Sequence, residues 1–284
     1  MPPKRILLKT TIHGVEDDWH IGRFSMLCEA LERQGHHVES YDRRGSSGAD
    51  ADLAALPESD FHQLWLFAVD VTDALTRSDV EAIQQFRRRG GGVLTTRDHE
   101  DLGASLAGLG VFGRAHHFHS SNPEPDISRQ AIDDRETRSI SWPNYHTGAN
   151  GDYQRVQLPD PTHELVQRED GSRLEFLPAH PHEGVVSVPP GAESFATEVI
   201  RGSSDVTGNA FGIAVAFSGE TDADGAVLGR AVAQSTFHHF VDPNLDPAAP
   251  LPTFCTERSG TSMRDNPHAL EDSLRYIENL ANWL

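Results

Sequence analysis

The sequence predicts a single α/β domain with a doubly wound, mainly parallel sheet flanked by helices. Short apolar runs alternate with amphipathic stretches through the first half of the chain, the pattern of repeated βαβ units. The run QLWLFAV at 63–69 is apolar at nearly every position, as a central strand covered on both faces must be. No Gly/Ser-rich or Pro-rich linker divides the 284 residues, so one domain over 1–284 is expected although the length allows two.

Residues 5–10 read as the first strand. The apolar spacing at 24–34 reads as the first helix, closed by Gly35, and 38–41 as a second short strand. After the central strand at 63–69, a helix is expected over 78–89 with Ser78 as its N-cap. The run GGGVLTT then turns into a strand, and a further helix is expected over 102–109. Regularity fades beyond Gly110, and about 112–161 reads as an irregular insertion. Strand-like alternation returns at 174–177, 184–188, 195–200, 211–217 and 231–236. The chain closes on a helix with Pro267 near its start, its inward stripe formed by Leu270, Leu274, Ile277, Leu280 and Ala281.

With 24 basic and 43 acidic residues, the net charge of −19 repels phosphate backbones and anionic headgroups. Nucleic acid and membrane surfaces are therefore excluded as expected partners. A small-molecule substrate is expected, and a homo-oligomer stays open. There is no apolar run of about 18 residues, and MPPKRILLKTT is too short and too strand-like for a signal peptide, so the cytoplasm is the expected compartment. Cys28 and Cys255 are too few for a disulfide framework, and Cys28 falls in the apolar pattern of the first helix as a buried, inert thiol. The arginines at 87–89 read as a solvated helix end placed against the dipole.

Three stretches, in order, resemble the ThuA-like family of the class I glutamine-amidotransferase-like, flavodoxin-like fold, the trehalose-utilisation type. They are QLWLFAVDVTDALTRSDVEAIQQFRRRGGGVLTTRDHEDL, then GRAVAQSTFHHF with its late histidine at His238, and the closing SLRYIENLANWL. In that fold class the turn after the GGG strand is the nucleophile elbow, at the carboxyl edge of the sheet where ligands sit. Here it offers Arg97, Asp98, His99 and Glu100 with no cysteine or serine, which excludes thiolate chemistry of the amidotransferase kind. The family's acidic segment before a late strand is replaced by LPAHPHEGVV. The resemblance alone implies a sugar or keto-sugar derivative as substrate.

Sixteen histidines are many for this length, and they cluster at 116–119, 180–182 and 238–239. Imidazoles near carboxylates suit zinc, manganese or iron, so one divalent metal held among His99, His180, His182 and His238 is the sharper expectation. No HExxH or CxxC spacing is present, and the plainer reading is hydrogen-bonded, half-buried histidines. Catalytic roles are assigned to His99, His238, Asp98 and Glu183, by activating water on the metal or by direct acid–base transfer. Alternation places His180 and His182 on one side, and His238 and His239 on opposite sides. Trp19, His20, Arg97 and Tyr145 are the substrate-binding candidates, with Trp142, Tyr145 and His146 as a lid. For Trp19 the alternative is packing on the sheet edge under a solvated acidic loop.

The expected function is hydrolysis or isomerisation of a small polar metabolite. The alternative is a non-catalytic ligand- or partner-binding domain that lost the amidotransferase nucleophile. Convergence of His99, His238 and a member of 180–183 on one point discriminates the two.

Overall fold

The structure, a computed structural model, describes residues 2–45, 48–71, 74–130, 133, 137 and 139–284. The first half runs β1 (Arg5–Thr10), α1 (Ser25–Arg33), β2 (His37–Tyr41), α2 (Ala51–Ala55), β3 (Gln63–Phe67), α3 (Arg77–Arg88) and β4 (Gly92–Thr96). An irregular excursion follows with the short strands β5 (His116–His117), β6 (Tyr153–Arg155), β7 (Phe176–Pro178) and β8 (Val185–Val186). The chain returns through β9 (Ala196–Ser203), β10 (Ala210–Phe217) and β11 (Ala231–Gln234), then α4 (Asp242–Leu245), α5 (Ser262–Asp265) and α6 (Pro267–Trp283).

The main sheet has the order β2-β1-β3-β4-β11-β10-β9. Its first five strands pair in parallel, and β10 and β9 add an antiparallel edge, so the expected α/β class with a mainly parallel sheet holds. Both faces are covered, and strand alternation divides the core. Ile6, Leu8, Trp65, Phe67, Leu94 and Val232 face one cluster with α1 and α6. Leu7, Leu64, Leu66, Val93, Ala231 and Ala233 face the other, with Ile83 and Phe86 of α3. At about 25 cal/mol per Å² of apolar area, this two-sided burial is what holds the sheet together.

Several expectations shift in detail. The N-cap of α3 falls two residues earlier than expected: Thr76, not Ser78, caps the helix, in a capping box with Asp79. The expected helix at 102–109 is a 3-10 segment, Ala104–Leu109, because Gly103 at φ 81° and Gly110 at φ 83° bracket it in conformations that end an α-helix. The strand expected at 184–188 shrinks to β8, which pairs with β5 outside the main sheet, and β7 pairs with β6. Arg87 is not solvated: it is 3% exposed, bonded to Glu220 at 3.0 Å and seated over Phe112. Of the insertion, residues 131, 132, 134–136 and 138 lie outside the described residues. Among those described, no helix is long and apolar enough to cross a membrane.

Strands β4 and β11 are neighbours in parallel with Thr96 opposite Gln234, so the chain leaves both at the same carboxyl edge. That pairing brings Asp98 and the 235–239 turn together.

Candidate functional site

Asp98 follows β4 and is buried. Its Oδ1 accepts a hydrogen bond from Thr236 Oγ1 at 3.0 Å and lies 3.3 Å from His180 Nε2. Its Oδ2 lies 2.9 Å from His99 Nδ1 and 3.7 Å from His238 Nε2. Three imidazoles from three separate segments thus share one carboxylate, and His182 stands 5.5 Å, ring centre to ring centre, from both His99 and His180. Trp19, from the loop after β1, packs T-shaped against His238, ring centres 4.5 Å apart. The convergence expected of His99, His238 and a member of 180–183 is therefore present.

The local chain explains each placement. Thr236 turns the chain out of β11 by accepting from the His238 backbone amide, which starts a 3-10 turn and sends His238 to Asp98. His239 goes to a different group, with Nε2 at 3.4 Å from Glu183 Oε2 and Nδ1 at 2.7 Å from Gln234 Nε2, so the two histidines diverge as expected. Residues 180–183 are held by Thr147, whose hydroxyl bonds the His180 carbonyl, and by ladder bonds between Glu183 and Tyr145.

The carboxylate and the imidazoles set one another's charge. Burial alone would raise the Asp98 carboxyl, but His180, His99 and His238 outweigh it and hold the group well below the usual carboxylate range. Burial first, then His180, push His238 well below the ordinary imidazole value despite Asp98. Asn150 Oδ1 lies 2.9 Å from His180 Nδ1, which makes Nδ1 the proton-bearing nitrogen. In the neutral ring Nε2 is then a bare lone pair aimed at a carboxylate oxygen, and it has no hydrogen-bond partner. A second ring proton or a cation resolves that confrontation.

Asp98, His99 and His180 each offer a ligand atom, and these atoms lie within 4.8 Å of one another. Bonds of about 2.0–2.1 Å at tetrahedral angles put ligand atoms roughly 3.3 Å apart. The 2.9 and 3.3 Å separations at Asp98 are close to that edge, and Asn150 on the outer nitrogen of His180 is the kind of partner that orients a ligating imidazole. The donor set fits zinc, iron or manganese. His182 and His238, also expected as ligands, stand at the margin of this set.

Other expected site residues lie elsewhere. Glu183 is fully buried in a network of its own, bonded to Thr147, Gln154, Ser235 and His239 rather than to the Asp98 group. Arg97 is also fully buried, stacked 4.4 Å over Phe118 and bonded to the Glu100 carbonyl, so it supports the elbow from beneath. Burial lowers its pKa to about 9, with Asp98 and Asp101 opposing, and it stays charged at neutral pH. Tyr145 is 1% exposed and stacked 4.4 Å on Phe211; with Trp142 also buried, this stretch is core and not a lid. His20 caps the short helix at Ile21–Phe24 by accepting from Gly22. His116 bonds Thr95, and His117 bonds Ser187.

Four contributors went unread in the sequence. Thr236 and Asn150 carry no motif signal, and neither do Thr137 and Glu257. The Glu257 carboxylate lies 3.3 Å from His182 Nε2 and accepts from Thr137 Oγ1 at 2.8 Å. Cys255, two residues earlier, is half-buried, and burial together with Glu257 and Asp98 pushes its thiol up to about 12, which makes it inert. A depression of about 500 Å³ lies between α1 and α6, and charges on its wall already pair with each other, Arg275 with Glu169 and Glu278 and Arg168 with Asp272.

No family model and no curated protein matches the chain. Among solved structures, the mmIFT52 N-terminal domain is similar over 85% of this chain and 90% of its own, at 13% identity and TM-score 0.50. A ThuA-like protein from Parabacteroides merdae aligns over 98% of this chain and 89% of its own, at 16% identity and TM-score 0.46. The glutaminase domain of Trypanosoma brucei CTPS, with bound acivicin, aligns over 99% and 96% at 14% identity and TM-score 0.47. The likeness to the first is one of fold alone, and nothing further rests on the other two.

Proposed function

We propose that this chain is an enzyme that hydrolyses or isomerises a small polar metabolite at the Asp98 group, with a divalent metal held by Asp98, His99 and His180. In this reading it is a ThuA-like member of the class I glutamine-amidotransferase-like fold in which Arg97-Asp98-His99 stands where the thiolate would be. The single observation that carries the proposal is the buried Asp98 carboxylate shared by imidazoles on both oxygens, His180 Nε2 at 3.3 Å from one and His99 Nδ1 at 2.9 Å from the other. A buried arrangement of that kind is costly unless a cation or proton sits within it.

A divalent metal held by Asp98, His99 and His180 would supply Lewis-acid activation of water or of a substrate oxygen. The protein's own residues do the rest. Asp98 supplies the fixed negative charge, and Thr236 and Asn150 hold the carboxylate and the His180 ring in register. His238 presents a ring nitrogen toward Asp98 and is walled by Trp19, so it takes or returns a proton in a site with little water. His99 is the most exposed of the three imidazoles, its side chain 19% accessible, and marks the side from which a substrate arrives. A sugar or keto-sugar derivative is the substrate class that the sequence resemblance favours.

The test is elemental analysis of tag-free wild-type protein beside His99→Ala and Asp98→Asn. Near-stoichiometric zinc, iron or manganese that disappears in both variants supports the proposal. No metal in the wild type, even after dialysis against each ion, removes the metal and leaves Asp98 and His99 as a plain acid–base pair.

A further inference from the structure

Ser187, His117 and Asn122 form a second ordered set of groups, apart from the Asp98 site. Strands β5 and β8 pair with His117 opposite Val185, and the Ser187 amide bonds the Ala115 carbonyl at 2.9 Å, which sets Ser187 diagonally across from His117. His117 Nε2 lies 2.6 Å from Ser187 Oγ, and Nδ1 lies 2.8 Å from the Asn122 carbonyl oxygen. A carbonyl only accepts, so Nδ1 carries the ring proton. Burial lowers the His117 pKa from its ordinary value, against the Asn122 carbonyl and Glu124, and the ring is neutral at pH 7. Nε2 is then a lone pair, and the Ser187 hydroxyl donates to it.

Three details favour a reactive serine over a plain cross-strand bond. Asn122 sits in the left-handed region at φ 47°, and its carboxamide donates to the carbonyls of Arg114 and His116, each at 2.8 Å, so its own carbonyl is held at the imidazole. Ser187 is partly open to solvent while His117 is 5% exposed, which sets the base behind the nucleophile. The backbone amide of Val188, the residue after the serine, makes no hydrogen bond among the described residues, and acyl-transfer serines draw one oxyanion donor from that position. Serine, imidazole and fixed acceptor are the three parts of an activated nucleophile.

We propose that Ser187 is a second reactive centre, a nucleophile with His117 as its general base, which cleaves small uncharged esters. Anionic esters are disfavoured by the net charge of −19. Ser187 Oγ attacks the ester carbonyl while His117 Nε2 takes the hydroxyl proton, and the displaced electron pair rests on the oxygen facing the Val188 amide. The pair returns, the bond to the leaving alcohol breaks, and the imidazolium gives that alcohol its proton. Water, deprotonated by the same imidazole, then attacks the acyl-serine and releases a carboxylic acid and the free hydroxyl. No metal enters these steps, so the activity is independent of the Asp98 group.

The test treats full-length wild type, Ser187→Ala and His117→Gln with a fluorophosphonate and, separately, with p-nitrophenyl acetate, each with and without EDTA. The expected result is one phosphonyl adduct on the wild-type chain, mapped by peptide mass to Ser187, and p-nitrophenol release that falls by about 10²-fold or more in both variants. EDTA changes neither. No adduct on Ser187, or wild-type ester cleavage in a folded Ser187→Ala, overturns the proposal, and because the adduct is read on the wild type it decides the matter even where a variant fails to fold. Ester cleavage abolished by EDTA also overturns it and assigns the activity to the Asp98 group; a chelator-resistant adduct on a chain that takes up no metal leaves Ser187 standing and removes the metal reading alone.

Discussion

His180 and His238 lie face to face, ring centres 3.5 Å apart and planes 12° from parallel, with one Asp98 oxygen near each. Two like charges at that separation repel strongly, so the stack holds one positive charge at most. The two rings therefore divide their roles, His180 facing the metal position and His238 resting neutral, free to take a proton during turnover.

That division separates two substitutions. Asp98→Asn removes the charge that the ligands share, and metal is expected to be lost along with turnover. His238→Ala is expected to keep the metal and an unchanged far-ultraviolet circular dichroism spectrum, while turnover of a substrate found by screening falls by about 10²–10⁴-fold. Normal turnover in His238→Ala would take this ring out of the mechanism.

Gly184 has no room for a side chain. A Cβ there would sit 2.5 Å from the Asp98 carbonyl oxygen and 2.7 Å from that of Ser235, and would also strike the Arg97 guanidinium. Gly184→Ala is expected to cost about 3 kcal/mol in denaturant unfolding and to lower metal occupancy, because the strain falls on the backbone that carries Asp98. A variant with wild-type midpoint and metal content would show that the elbow yields freely.

Lys9 is one of two lysines in the chain and is fully buried, 2.9 Å from Asp50, itself fully buried, with Asp52 on its other side. Asp50 also caps α2. Lys9→Met leaves the buried Asp50 without its cation, while Asp52 keeps Arg44 at 3.2 Å, and is expected to destabilise the fold by about 3–5 kcal/mol. Adding Asp50→Asn should return part of that loss in the same unfolding measurement, and a loss under about 1 kcal/mol would contradict the role given to this ion group.

Burial, with Arg97 and His117 beside it, holds His116 neutral, well below the ordinary imidazole range. The folded chain thus refuses a proton that the unfolded chain accepts below about pH 6.5. Stability is expected to be level above that pH and to fall below it, with a slope of at most about 1.4 kcal/mol per pH unit from this group. His238 has the same sign, whereas the depressed Asp98 carboxyl loses its contribution only below about pH 3.9. Melting curves between pH 7.5 and 5 should show the decline, and His116→Gln should flatten it; an identical slope in that variant would assign the decline elsewhere.

The sheet was legible because two-sided burial leaves a mark on composition: 63–69 is a continuous apolar run, as a strand sealed on both faces requires, and α6 shows its helical stripe through Ile277, Leu280 and Ala281. The histidine group was legible in part, since His99, His180 and His238 stand at or near strand ends. Glu183 misled because sequence shows a carboxylate beside two histidines without showing which face it takes, and the Thr147, Gln154 and His239 bonds draw it into a closed network. Arg97 misled for a similar reason: at an elbow, adjacent residues point to opposite sides, and this one points under Asp98 onto Phe118. Asn150 and Glu257 were beyond reach, being brought in by loops with no periodicity.

Asp98 meets Thr236 across 138 positions of chain, and His180 reaches it from the excursion in between. During synthesis from the N-terminus, the first four parallel strands can pair long before the ribosome releases the 235–239 turn. The reaction centre is thus a late-closing latch: a nascent or C-terminally clipped chain carries Asp98, His99 and His180 before Thr236 and His238 arrive to close over the carboxylate.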